Sequence, residues 1–201
     1  MKKIVAYLIF SSLNLLLVTN MGAQYLVYED KIALDVYNKA FLFETKDNLI
    51  AVIKDKEEDA FKRAAAINIL REKFFTDLSP QEKIDVQEML RKVFRRGGSS
   101  FIKIEIAYAL CQLDRQKYFK DMAPFLIRRI DNENNVVSER AFDRIENILN
   151  DSDTSREEAK IVLGLLKKNF NPSEDKESKE FDLRYKEKMK LFVWASKKIN
   201  N

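Results

Sequence analysis

Three stretches of this chain repeat one another, and that repetition limits the fold more than any other feature of the sequence. Taking Phe61 as an anchor, Lys62 follows it, and Ala65, Ala66 and Ile69 fall four, five and eight residues on. After Ile102 come Lys103, then Ile106, Ala107, Ala109 and Leu110 at plus four, five, seven and eight. After Val137, Ala141, Phe142 and Ile145 fall at plus four, five and eight. The anchors lie 41 and 35 residues apart, close to the period of a two-helix unit of about 40 residues. Small residues shortly after each anchor let that helix approach its neighbour closely. Apolar residues recur at three and four, with no alternating run, which predicts an all-α chain.

The helix punctuation agrees. Ser79-Pro80-Gln81-Glu82 is a helix start: the serine hydroxyl caps a free N–H, Pro80 suits the first turn, and Glu82 bonds back to the cap. Arg95-Arg96 favour a helix carboxyl end, Gly97-Gly98 stops the helix, and Ser99 or Ser100 opens the next. Thr154-Ser155-Arg156-Glu157-Glu158 is a second capping-box start. Helices are expected near 30–54, 58–76, 80–96, 100–114, 117–131, 136–149, 155–169 and 177–199.

Residues 1–23 read as an export signal. Lys2 and Lys3 precede a 15-residue, mostly apolar stretch from Ile4 to Val18, and small residues at Gly22-Ala23 place the cut after Ala23. That stretch is interrupted by Ser11, Ser12 and Asn14 and is shorter than the roughly 20 residues a spanning helix needs. The rival reading is an uncleaved amino-terminal anchor. No cysteine stands directly after the apolar run, so attachment of a bacterial lipoprotein lipid is excluded. The expected division is a signal at 1–23, a helical domain at 24–169, a linker at 170–178 and an amphipathic carboxyl-terminal helix at 179–201. Without residues 1–23 the balance is 34 basic to 32 acidic residues, which gives no electrostatic case for nucleic acid. The expected location is periplasmic, or otherwise exported.

Pro124-Phe125-Leu126-Ile127-Arg128-Arg129-Ile130-Asp131, followed by Val136-Val137 and Ala141, resembles a HEAT repeat, part of the armadillo-like class of helical solenoids. Leu49 to Ile69, with Ile53, Asp55, Phe61 and Ala65, is similar. The resemblance covers 36–149 and extends toward 169. It departs from the family at Ser138, where such units often carry Arg, and at Ile106, which replaces the usual Ala. It implies a right-handed α–α superhelix of three to four hairpins, with the carboxyl-terminal helix as a cap. An irregular helical bundle is the alternative.

Little in the chain can carry chemistry. It has no histidine, which removes the commonest general base, the Ser-His and Cys-His nucleophiles and most transition-metal sites. The single cysteine, Cys111, sits among Leu110 and Leu113 and reads as a small core residue. Asp151-Ser152-Asp153 with Ser155 would need Gly at Arg156 and a carboxylate at Val162 to be a calcium loop; it reads as a capping turn. The pairs Arg91-Lys92, Arg95-Arg96, Arg128-Arg129 and Lys167-Lys168 read as solvated faces, with an anion-binding patch as the alternative. No metal, cofactor, small-molecule substrate or catalytic residue is expected.

Two apolar features point instead to binding. Ile67, Leu70 and Phe74 form a second stripe on one repeat helix, and Ile104, Tyr108 and Cys111 do so on the next; Glu139, Asp143 and Asn147 take those places on the third. Solenoids present such helices on a concave surface, so Ile67, Leu70, Phe74, Ile104 and Tyr108 are a candidate partner groove, unless other parts of the chain cover them. At the carboxyl end, Phe181, Tyr185, Met189, Phe192 and Ile199 share a helical face, with Trp194 off it. These aromatics need burial: as a cap on the last repeat, in the groove, on a partner, or at a membrane surface beside Arg184, Lys186, Lys188, Lys190, Lys197 and Lys198. The expected function is a non-enzymatic scaffold for a protein partner in a cell-envelope assembly. The alternative is peripheral membrane binding through the terminal helix.

Overall fold

A computed structural model describes residues 32–96, 98–150, 154–169 and 183–200. The leader, the linker at 170–178 and Phe181 lie outside the described residues. Those described are helical, with no strand among them: α1 (residues 32–40), α2 (Lys46–Lys54), α3 (Ala60–Phe74), α4 (Pro80–Arg95), α5 (Ser100–Leu113), α6 (Arg115–Arg129), α7 (Asn135–Leu149), α8 (Arg156–Asn169) and α9 (Leu183–Asn200).

Side-chain caps start most of these helices. Ser79 Oγ accepts from Glu82 N at 3.3 Å while Glu82 accepts from Ser79 N at 2.9 Å, and Ser155 and Glu158 repeat the exchange at 3.2 and 2.7 Å. Asp59, Ser99, Asp114 and Asn134 accept first-turn N–H groups of α3, α5, α6 and α7. Each such cap is worth about 1 kcal/mol. The single helix expected at 30–54 is broken. Phe41–Phe43 forms a 3-10 turn, Glu44 is extended, and Thr45 Oγ1 accepts from Asn48 N at 3.3 Å to open α2.

Consecutive helices pack on each other, α2 on α3, α4 on α5, α6 on α7 and α8 on α9, and α5 packs on α6 as well. The first members form one layer, and α2, α4, α6 and α8 run the same way. Lys46 near the start of α2 pairs with Glu82 near the start of α4, Tyr118 of α6 bonds Gln87 of α4 at 3.1 Å, and Arg115 of α6 bonds Glu158 of α8 at 2.8 Å. In the other layer α3, α5 and α7 pack side by side, and α9 lies against α8 and α7. The alanines at 64, 65 and 66 are fully buried in α3, where their lack of bulk permits close approach on both sides. Second helices also tie down the ends of first helices. Arg63 Nε and Nη2 donate to Ile53 O at 3.2 and 2.9 Å, and Ser138 Oγ donates to Ile130 O at 2.5 Å. At α1, Leu34 packs with Phe61 over Ala64, Phe101 and Val136, covering the first turns of α3, α5 and α7.

Candidate functional site

The doubly apolar helices are interior helices. α3 meets α2 on one side and α5 on the other, while α5 meets α3, α4, α6 and α7; a helix so enclosed is apolar all round. Ile67, Leu70 and Ile104 are fully buried, Tyr108 is 7 % exposed, and Phe74 is half-buried. The groove expected across these five side chains is therefore core: four of them are buried, and half-buried Phe74 packs against that core. α7 lies nearer the edge, and its second side carries exposed Asp143 and Asn147.

The seam along α3, α5 and α7 is held by charge as well. Glu105 is 1 % exposed and accepts from Arg140 Nε and, at 2.9 Å, from Arg144 Nε. Arg144 Nη2 donates to Asn68 Oδ1 at 2.9 Å. The Tyr108 ring meets the Arg144 guanidinium at 4.6 Å and that of Arg71 at 4.9 Å, and its hydroxyl accepts from Gln112 at 3.1 Å. Burial first, then the Arg144 charge, pull the Arg71 guanidinium below its usual range. A carboxylate buried this deeply is tolerable only when paired and hydrogen-bonded.

The first layer differs. Between α4 and α6 it opens into a cleft of about 260 Å³. Leu110 of α5 forms the floor with Phe94 and Met122; Arg91 and Arg95 line the α4 wall, and Lys117, Tyr118 and Asp121 the α6 wall. Lys117 Nζ and Tyr118 Oη both donate to Gln87 Oε1, at 3.2 and 3.1 Å. Phe94 stands edge-on to Phe125 at 5.1 Å, with Lys103 5.9 Å from its ring; Arg129 lies 5.2 Å from the Phe125 ring. Neither Arg91 nor Arg95 forms an ion pair or side-chain hydrogen bond among the described residues. Asp121 is the only carboxylate among the described residues that line the cleft.

The basic pairs are visible in the sequence, but their assembly is not. Because α4, α6 and α8 run parallel, their basic last turns (Lys92 and Arg95, Arg128 and Arg129, Lys167 and Lys168) fall at one edge of the layer. The signal available was the recurrence of such a pair at the ends of α4, α6 and α8, together with Phe94 and Phe125 on α4 and α6.

Tyr185, Phe192 and Trp194 are half-buried on α9, and Phe192 and Trp194 pack on the core. On the same helix Glu187 is 5 % exposed and its Oε2 has no hydrogen-bond partner. Burial, then the Glu139 and Asp143 carboxylates of α7, push it up to about 7, against the smaller pull of Lys190 and Arg184. Burial pushes the Cys111 thiol up to about 12, so it is not a thiolate at neutral pH. Among the described residues no group of three or more acidic or cysteine side chains is placed to hold a metal ion, and no helix is long and apolar enough to cross a membrane. Comparison with protein-family models, with curated proteins and with solved structures returns no match to this chain.

Proposed function

We propose that the chain is a non-enzymatic scaffold whose helix pairs form a short HEAT-like solenoid and which holds a protein partner in the α4–α6 cleft. The observation that carries this reading is Arg91 and Arg95, without carboxylate partners, beside an apolar and aromatic floor. Recessed apolar surface rimmed by arginine is the composition of protein-binding hot spots. The lack of histidine and the buried, protonated Cys111 support a binding role over catalysis. The apolar stretch at 4–18 supports an exported protein, cut after Ala23 and acting in a cell-envelope assembly. Cross-linking in the native cell followed by mass spectrometry tests the reading. A partner should be joined at the cleft and lost from the Arg91→Glu, Arg95→Glu double variant at unchanged melting temperature. An undiminished partner in that variant would remove the cleft from consideration.

A second reading has its own observation. Lys186, Lys190, Val193 and Lys197 lie at helical spacing on α9 and are all exposed, a basic face suited to an anionic membrane surface. Sedimentation with vesicles rich in phosphatidylserine checks it: Lys186→Glu with Lys190→Glu should abolish pelleting, and equal pelleting of both forms rules the face out.

A further inference from the structure

We propose that the α4–α6 cleft takes an acidic amphipathic helix of the partner, with an apolar side chain seated on half-buried Phe94 and Met122 and carboxylates against Arg91, Arg95 and Lys117. This rests on the scaffold reading and adds the chemistry of the partner.

The shape of the site selects the occupant. The cleft runs between two parallel helices that are bridged at Gln87–Tyr118 and Phe94–Phe125. Such a trough fits an element with apolar residues three and four apart, the helix-in-groove mode. A bare phosphate would be recognised by guanidinium alone and would leave the apolar floor unfilled. A bilayer needs apolar groups that protrude, whereas Phe94 and Met122 are half-buried between the two helices. The recess therefore calls for an inserted side chain, and the rim for negative charge around it.

Charge decides the sign of that occupant. Arg91, Arg95 and Lys117 face a single carboxylate, Asp121, and further positive charge stands nearby, with Lys103 5.9 Å from the Phe94 ring and Arg129 5.2 Å from that of Phe125. Arg129 adds a buried Nε with no hydrogen-bond partner. Surface ion pairs contribute little affinity one by one, so the apolar insertion supplies most of the binding while the cations set partner choice and association rate. Asp121 is out of place in such a site and weakens it.

The test uses the full chain and a fluorescent synthetic helix with leucine on one face and glutamate on the other, beside a lysine-for-glutamate counterpart. Anisotropy titration should show binding of the glutamate helix only, weakened by added salt. Arg91→Glu with Arg95→Glu should cost at least about ten-fold in Kd and gain the lysine helix, with circular dichroism unchanged. Asp121→Lys should tighten the glutamate helix by a few-fold. Equal affinity for both probes, or no response to either substitution, overturns the acidic assignment. A benzophenone side chain installed at Asp121 separates the two readings in the native cell. A partner joined there but not displaced by the glutamate helix leaves the scaffold standing and removes the acidic chemistry. No partner joined and no probe bound removes both.

Discussion

Arg140 and Arg144 on α7 and Arg91 and Arg95 on α4 belong to two helices that both pack on α5, and they have opposite circumstances. The first pair closes on buried Glu105, with Asn68 and the Tyr108 ring completing the set. The second pair looks into a cleft with no carboxylate held against it. One residue type therefore serves as internal fastening on one helix and as available charge on the other. What separates them is the acid: α5 offers Glu105 to α7, while toward α4 it presents Leu110.

The largest way to break this comparison is at Glu105. Glu105→Gln should leave two guanidinium groups facing each other without compensation, at a cost of about 3–5 kcal/mol in denaturant unfolding; a change below about 1 kcal/mol would mean that the seam is not held by charge. Glu187 is the opposite case, a buried carboxylate with an unpartnered oxygen. Its pKa is raised in the fold from an ordinary value of 4.5 to about 7, so its stabilising contribution is full below about 4.5 and is lost as pH rises through about 7. Stability should fall by about 2 kcal/mol between pH 5 and 8, and Glu187→Gln should flatten that fall and be the more stable form at pH 8. A wild type insensitive to pH over that window would contradict the environment described, in which Glu139 and Asp143 outweigh Arg184 and Lys190. Phe94→Leu removes the ring pair with Phe125 and should cost about 1 kcal/mol in melting measurements. The smallest effect sharpens the contrast most: Arg91→Ala with Arg95→Ala should stay within about 0.5 kcal/mol of wild type. A larger loss would make these arginines structural.

The helical class and several helix starts were legible in the sequence because they depend on neighbours within a few residues. The Ser79–Glu82 and Ser155–Glu158 exchanges form as the residue types imply. Phe61 is the second residue of α3, whereas Ile102 and Val137 are the third residues of α5 and α7, so the three anchors agree in register only to within one residue, and Phe61 packs with Phe101 and Val136 instead. The break at residues 41–45 was not legible. Phe41-Leu42-Phe43 continues an apolar helical pattern, no glycine or proline interrupts it, and Thr45 is a modest capping signal. Nor could the sequence decide what faces the second stripes. Ile67 and Ile104 would look the same beneath a neighbour as beside solvent, and that choice belongs to the packing of α3 against α5. Tyr108→Glu would accordingly report on stability, since the ring sits between two arginines in the interior. The cleft was hidden for a related reason: solvated basic pairs become one edge only when α4, α6 and α8 are known to be parallel.

The central place of α5 has a further consequence, in folding. Stacked helix pairs that touch only their immediate neighbours can unravel from either end, one pair at a time. α5 packs on α3, α4, α6 and α7, and nearly every side chain from Phe101 to Leu113 is buried. Releasing it would expose both flanking pairs at once, so the middle of the chain should open as a single cooperative unit while α2 and α9 fray independently. Native-state amide exchange would then find its slowest protons along α5, exchanging only when the whole molecule unfolds.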